Sequence, residues 1–212
     1  MHMGLFNLNS PLMRGVNKVL MAIYMGMLWF LCSIPIVTIG ASTAAMYEVL
    51  LKMTKDLEGN ITKDFFWGFK NNLKQGICVW LIVLAVFAVL LGNLWYYTVI
   101  DGVRHTVLTI VFLVMAVLAL AVFSYLFPVM ARTENSVKGH FQIAFILAIR
   151  NPGWSLMLII DQLLTLFLIY IFAYAPILFI MGPMGYLQGL VFNHIFDRLL
   201  ATGMISEENP KD

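Results

Sequence analysis

Apolar residues come in long blocks separated by polar stretches. From Val16 to Ser33 the chain is apolar except for Asn17 and Lys18 near its start. After a break at "IPIVTIG" (34–40), a second block runs from Ala41 to Met53 and carries one charge, Glu48. A polar segment from Lys52 to Gln75 leads into two clean apolar blocks, Gly76 to Thr98 and Thr106 to Ala131. A second polar segment, Arg132 to Asn151, precedes an apolar region that lasts almost to Leu200, interrupted by Pro176 and by "MGPMG" at 181–185. About 20 apolar residues cross a hydrocarbon core as a helix. The pattern predicts an all-α fold, a polytopic transmembrane helix bundle forming one integral membrane domain over 1–212. Its segments are expected at about 16–34, 41–53, 76–98, 106–131, 153–175 and 184–200, with two of the six short or broken. Ser10 as N-cap and Pro11 at the first helical position mark the first start.

Basic residues set the orientation. Arg14 and Lys18 flank the first block, and Lys52, Lys55, Lys63, Lys70 and Lys74 fill the polar segment after the second. Arg132, Lys138 and Arg150 fill the next, Arg198 and Lys211 close the chain, and Arg104 alone lies in the short turn "IDGVRH". Lys and Arg mark the cytoplasmic side. Residues 17–53 must then leave the cytoplasm and return, and so must 153–198, which puts both termini inside. On this reading Pro35 ends the first helix, "IVTIG" makes an outer turn, and Ala41 begins a short return helix. Trp80 near one end of the 76–98 block and Trp95, Tyr96 and Tyr97 near the other are about 15 residues apart, or roughly 22 Å of helix. That separation suits two interfacial aromatic belts.

The two returning hairpins share a feature. The first has Pro35 and Gly40, then Ala41 and Ala45 at small-xxx-small spacing; the second has Pro176 and Gly182, then Gly185 and Gly189 at GxxxG spacing. Small residues four apart let helix backbones approach closely, whereas matched Pro/Gly interruptions also point to binding sites in transporters. Tight turns with packing glycines and a partner-binding role both fit.

Between the second and third blocks, "NITKDFFWGFKNNLKQG" (60–76) reads as a cytoplasmic amphipathic helix over about 62–75, with Thr62 as cap and Asp64 in its first turn. Lys63, Lys70 and Lys74 share one face, and Phe65, Phe66, Phe69 and Leu73 the opposite one. A basic face against an aromatic face suits a helix lying in the membrane interface; a docking surface for a partner is the alternative.

Composition agrees with the pattern. The chain of 212 residues is 61% hydrophobic and 11% charged, against roughly 45–50% and about 25% for an ordinary soluble domain. Membrane lipids are thus its expected surroundings. A net charge of +2 without a basic run interleaved with aromatics argues against nucleic acid as a partner. Cys32 and Cys78 sit in apolar blocks and read as small hydrophobes. With no CxxC or Cys/His cluster, neither a metal site nor a cofactor is expected. The first residues lack a basic run, a short apolar run and a cleavage site in succession, so no removable signal peptide is expected.

Candidate chemistry is sparse. Asp161 lies about eight residues into the 153–175 segment, near the midplane, where charge is costly and faces a partner or a wet cavity. Ser155, Gln162 and Thr165 lie on the same side of that helix. This stripe reads either as a substrate or proton site in the bundle or as a hydrogen-bonded packing cluster. Glu48 has Lys52 one turn on, a spacing for an ion pair. Asn193, His194, Asp197 and Arg198 cluster near the end of the last segment, and Asp101, Arg104 and His105 form the short outer turn. The motifs GxxxxGK[ST], HExxH and GxSxG are missing, as is a calcium-loop pattern. No catalytic residues are assigned, the chain reads as not an enzyme, and an ATP-driven process would need its nucleotide site on another chain.

Three stretches carry a family likeness: "WFLCSIPIVTIGASTAAMYEVLLKM" (29–53), "KDFFWGFKNNLKQG" (63–76) and "FPVMARTENSVKGHFQIAFILAIRNP" (127–152). In order and spacing they resemble the YesL-like family of bacterial integral membrane proteins, a domain of unknown function. The likeness covers nearly the whole chain, and the last 40 or so residues match least distinctively. Members occur mainly in Gram-positive bacteria, often encoded beside carbohydrate ABC importers and polysaccharide-degrading enzymes. The resemblance implies a multi-pass protein of the bacterial cytoplasmic membrane. It further implies an accessory subunit that contacts the membrane subunits of an oligosaccharide ABC importer. A stand-alone small-solute transporter or channel, and a membrane sensor or assembly factor, are the rival expectations.

Overall fold

A computed structural model describes residues 11–57, 59–99, 103–171 and 177–201. Ser10, Asp101, Pro176 and Lys211 lie outside the described residues, as do the side chains of Arg104 and His105. The described chain is helical, with no strand: α1 (Pro11–Ser33), a 3-10 turn (Ile36–Thr38), α2 (Ile39–Met53), α3 (Ile61–Val99), α4 (Val103–Arg132), α5 (Val137–Arg150), α6 (Pro152–Ile171) and α7 (Ile177–Ala201). Among the described residues, five stretches, Met13–Ser33, Ile36–Met53, Ile61–Tyr97, Thr106–Arg132 and Pro152–Ile171, are long and apolar enough to cross a membrane. The chain is an all-α, multi-pass membrane protein.

α2 is the hub. Twelve of its 15 residues are buried, because α1, α3, α4 and α7 all pack against it. Small residues allow this. A Cβ added to Gly40 would strike the Gly76 carbonyl oxygen and come within 2.7 Å of the Trp80 Cβ; one added to Gly76 would lie 2.6 Å from the Ala41 nitrogen. Ala41 and Ala45 are wholly buried in the same contact region. Across the bundle, a Cβ on Gly182 would strike the Ala22 carbonyl oxygen, and one on Gly185 would come 2.9 Å from a Leu50 methyl. Gly189 faces Thr54 and Leu51. Each proposed packing glycine is therefore used between helices of this chain.

Three expectations change. The amphipathic helix and the following span are one continuous 39-residue helix, α3. No proline interrupts 61–99, and the lysines, asparagines and glutamine of its first half are compatible with a helix. The aromatic face of that half lies partly on protein rather than lipid: Phe65 is wholly buried and Phe69 packs on the core, whereas Phe66 is exposed. Lys63, Lys70 and Lys74 remain on the exposed side. Second, the polar segment 132–151 contains α5, capped by Ser136, whose Oγ accepts from the Gly139 N–H at 3.2 Å. Third, "MGPMG" does not break the last segment. α7 begins at Ile177 and runs through Pro183, since Gly182 is needed for close approach to α1 rather than for a turn.

The first turn also meets α3 at an unexpected position. It meets α3 at Gly76 and Trp80. Val99, the end of α3, is roughly 34 Å further along the helix at about 1.5 Å per residue, as long as a hydrocarbon core is thick. "IVTIG" thus lies beside the residue at which the 76–98 span was expected to leave the cytoplasm, not level with that span's outer end. Ile34, Ile36 and Val37 point outward. The turn satisfies its own backbone: the Thr38 N–H donates to Pro35 O at 2.9 Å, and the Thr38 hydroxyl is 2.6 Å from Cys32 O and 2.7 Å from Pro35 O. Such internal bonding leaves these backbone groups less dependent on water.

Candidate functional site

The polar side chains predicted on α6 do not act as one stripe. Ser155 is buried where α4, α5 and α6 meet, with its Oγ 3.1 Å from the Tyr125 hydroxyl and 2.9 Å from Ala148 O. Asp161, two turns on, reaches α7 instead: Gln188 Nε2 donates to its Oδ2 at 2.5 Å. The Gln188 Oε1 in turn accepts from the Tyr47 hydroxyl of α2. The Thr165 hydroxyl donates to the Asp161 carbonyl at 2.8 Å. Three helices are tied by an acid, an amide and a phenol, and Tyr47 and Gln188 are both buried. An amide is well suited to the middle place because it accepts at one end and donates at the other.

This relay forms one side of a cavity of about 340 Å³ bounded by α1, α2, α3, α4, α6 and α7. Its walls are mostly apolar and include the rings of Trp29, Trp80, Phe123 and Phe127, with Trp80 packed 6.5 Å from each of the two phenylalanine rings. Gln162 and Thr165 line it; Asp161 stands behind Gln188. Trp80 Nε1 is buried without a hydrogen-bond partner. The ring expected to sit in an interfacial belt is therefore an interior wall, while Trp95 at the other end of that span is 71% exposed. Trp29 Nε1 donates to the Thr43 hydroxyl at 2.9 Å. Pro128 lines the cavity beside Ser124 and, lacking an N–H, cannot satisfy the Ser124 carbonyl as a helix residue normally would.

The end of the bundle where α1 begins and α2 and α7 finish is held by a separate polar knot. Asn193 Nδ2 donates to Leu51 O at 3.0 Å and to the Thr54 hydroxyl, while Arg132 Nη1 donates to Asn193 Oδ1 at 2.5 Å. The Arg132 guanidinium also lies 5.0 Å from the Phe196 ring centre. Lys55 pairs with Asp197 at 2.6 Å, and Lys18 with Asp56 at 2.7 Å. The hydrogen bond and charge of Lys18 hold the exposed Asp56 carboxyl below the usual carboxylate range. Glu48 is buried, 3.5 Å from Asn72 Nδ2. The His194 ring lies tilted against Trp154, with ring centres 5.4 Å apart. Cys32 and Cys78 are both free thiols. Among the described residues, no group of three or more His, Cys, Asp or Glu is placed to hold a metal ion.

Sequence reading found Asp161, Gln162 and Thr165 but missed Tyr47, Gln188 and Trp80. Gln188 carried a signal, an amide between two packing glycines in an otherwise apolar helix. Nothing local marked Tyr47 or Trp80, because aromatic residues are ordinary in such spans.

Residues 22–94 match the family described as protein of unknown function, DUF624. YesL-like proteins belong to DUF624. The family resemblance is borne out. No curated protein and no solved structure matches the chain. The DUF624 match takes in the α1–α2 turn, all of α2 and the Gly40–Gly76 contact, together with Tyr47 and Trp80 on one side of the cavity. Asp161, Gln162 and Gln188 lie beyond it.

Proposed function

We propose that the protein is an accessory membrane subunit of a carbohydrate ABC importer in the bacterial cytoplasmic membrane. The observation that carries the reading is the DUF624 match together with the YesL-like stretches, since such proteins are often encoded beside importers of this kind. The chain reads as not an enzyme and has no nucleotide-binding motif, so energy would come from the importer's ATPase. Its packing glycines are occupied internally, so the importer contact falls elsewhere. The outer halves of α3 and α4, with Leu84, Val89, Val107 and Leu113 exposed, offer an apolar lateral surface for helices of the importer's membrane subunits. Detergent purification with the importer encoded nearby tests this. Co-elution, and reduced oligosaccharide uptake in a deletion strain, are expected; separate elution with unchanged uptake overturns it.

The Asp161–Gln188–Tyr47 relay beside an interior cavity favours a second reading, a stand-alone small-solute transporter. Purified protein in vesicles should then move solute without any other chain, and Asp161→Asn should change the rate while leaving expression intact. Inert vesicles remove this reading.

A further inference from the structure

We propose that the cavity beside the Asp161–Gln188–Tyr47 relay holds one acyl chain of a bilayer phospholipid. The first ground is what the lining offers an occupant. It is almost wholly apolar and includes no Lys, Arg, His, Asp or Glu. Most of its polar side chains are already engaged inside the protein. The Tyr47 hydroxyl is bonded to Gln188, and Gln188 to Asp161. The Thr43 hydroxyl donates to Ile39 O at 2.7 Å and accepts from Trp29 Nε1. The Ser124 hydroxyl donates to Leu120 O at 2.9 Å, and the Thr165 hydroxyl to Asp161 O at 2.8 Å. That leaves Gln162, one helical turn before the exposed Leu166. A solute that needs many hydrogen bonds finds few partners in such a lining. Apolar cavities stay dry and take up apolar molecules.

The second ground is where the cavity opens. Leu166 lines it and is nevertheless 62% exposed, so the cavity reaches the protein surface beside α6. Its neighbours Leu163 and Phe167 face outward, as do Val117 and Leu113, one and two turns before the lining residue Leu120 of α4. On a membrane protein an apolar surface of this kind meets acyl chains rather than water. Size supplies the third ground. A volume of about 340 Å³ falls at the small end of ligand sites, about 300–1,000 Å³, and suits part of one chain rather than a whole two-chain lipid. Met46, Met181 and Met184 on the lining are flexible and can close around an irregular hydrocarbon. A free fatty acid would bring a carboxylate to a lining without a cation, at large cost; an ester-linked chain leaves its charged headgroup outside. The inference does not rest on association with an importer, because lipid binding and co-elution are read separately.

The test uses the full chain in dodecyl maltoside micelles, titrated with phosphatidylcholine that carries a diazirine near the end of one acyl chain. After illumination, labelled peptides are mapped by mass spectrometry. Label on the cavity wall, at Leu120, Met181 and Met184, should saturate at one lipid per chain. Label on the outer arm, at Leu84 and Val89, should instead rise in proportion to the lipid added. Leu120→Trp and Met184→Trp each fill the cavity from a different helix. Each should cut wall labelling at least tenfold, with outer-arm labelling and elution unchanged. A second readout needs no bulky substitution. With Cys32 and Cys78 replaced by Ser, Met184→Cys should react with a water-soluble maleimide at least tenfold more slowly in lipid-loaded than in delipidated protein. Wall labelling that never saturates overturns the proposal. So does wall labelling that both filled variants leave intact, or equal maleimide reaction with and without lipid, which would mark a wet cavity.

Discussion

The α1–α2 hairpin and the outer part of the α3–α4 hairpin are both apolar, both contain glycine, and look alike as hydropathy. They are stabilised differently. α2 is enclosed by protein on nearly every side, with Gly40 against the Gly76 backbone. The outer α3–α4 arm exposes Leu81, Val89, Leu91, Val107 and Val117, its Gly92 has open space around it, and its helices meet through contacts such as Tyr97 stacked 5.6 Å from Phe112. The boundary on α4 is sharp: Val117 and Leu118 are exposed, whereas Tyr125, Leu126 and Val129 are wholly buried. In lipid, apolar surface alone does not drive helices together, and close fit of small residues does. The comparison separates residues that face hydrocarbon from residues that hold the bundle.

Substitution at the glycines probes that difference most strongly. Gly182→Val and Gly40→Val would each drive a side chain into backbone, and should cost about 3 kcal/mol or more, read as loss of a monodisperse peak in detergent. Gly92→Val should stay within about 0.5 kcal/mol. Equal damage at Gly92 would show that the outer arm is packed after all. The next effect is on depth. With Cys32 and Cys78 replaced by Ser, Trp95→Cys should react with a membrane-impermeant maleimide added outside the cell, and Ile36→Cys should not. Labelling of both would place the two turns at one surface.

A smaller loss is expected at the Asn193–Arg132 knot. Asn193→Leu strips partners from Arg132 and the Leu51 carbonyl and should lower stability by about 2 kcal/mol, measured as a fall in melting temperature. The smallest effect belongs to the Lys18–Asp56 pair, which ties the α1–α2 hairpin at its base. A carboxyl held below its unfolded pKa adds stability that is present above the unfolded value and lost as pH falls through the folded one. Melting temperature should therefore decline slightly further in acid for the native chain than for Asp56→Asn. Asp56 has a positive φ of 56°, a conformation Asn also tolerates, so the variant tests the charge rather than the backbone.

Much of this was readable from residue order. The apolar blocks, the lysines and the small-residue spacing determined an all-α membrane bundle and its packing glycines, because hydrocarbon imposes length and backbone satisfaction on any chain that enters it. Lysine placement also required residues 17–53 to return to the side they left. It could not tell a full crossing from a turn within the bilayer, since both return the next lysine to the same side. The Gly40–Gly76 contact decided only where along α3 the turn sits. Likewise Asp161 was visible as a costly charge, but Gln188 and Tyr47, 27 and 114 positions away in the chain, became its relay only when three helices met. Trp80 matched a belt by spacing and became a cavity wall by packing. Periodicity and charge act along one helix and are local; which groups face a shared interior depends on how helices cross, which only tertiary structure decides.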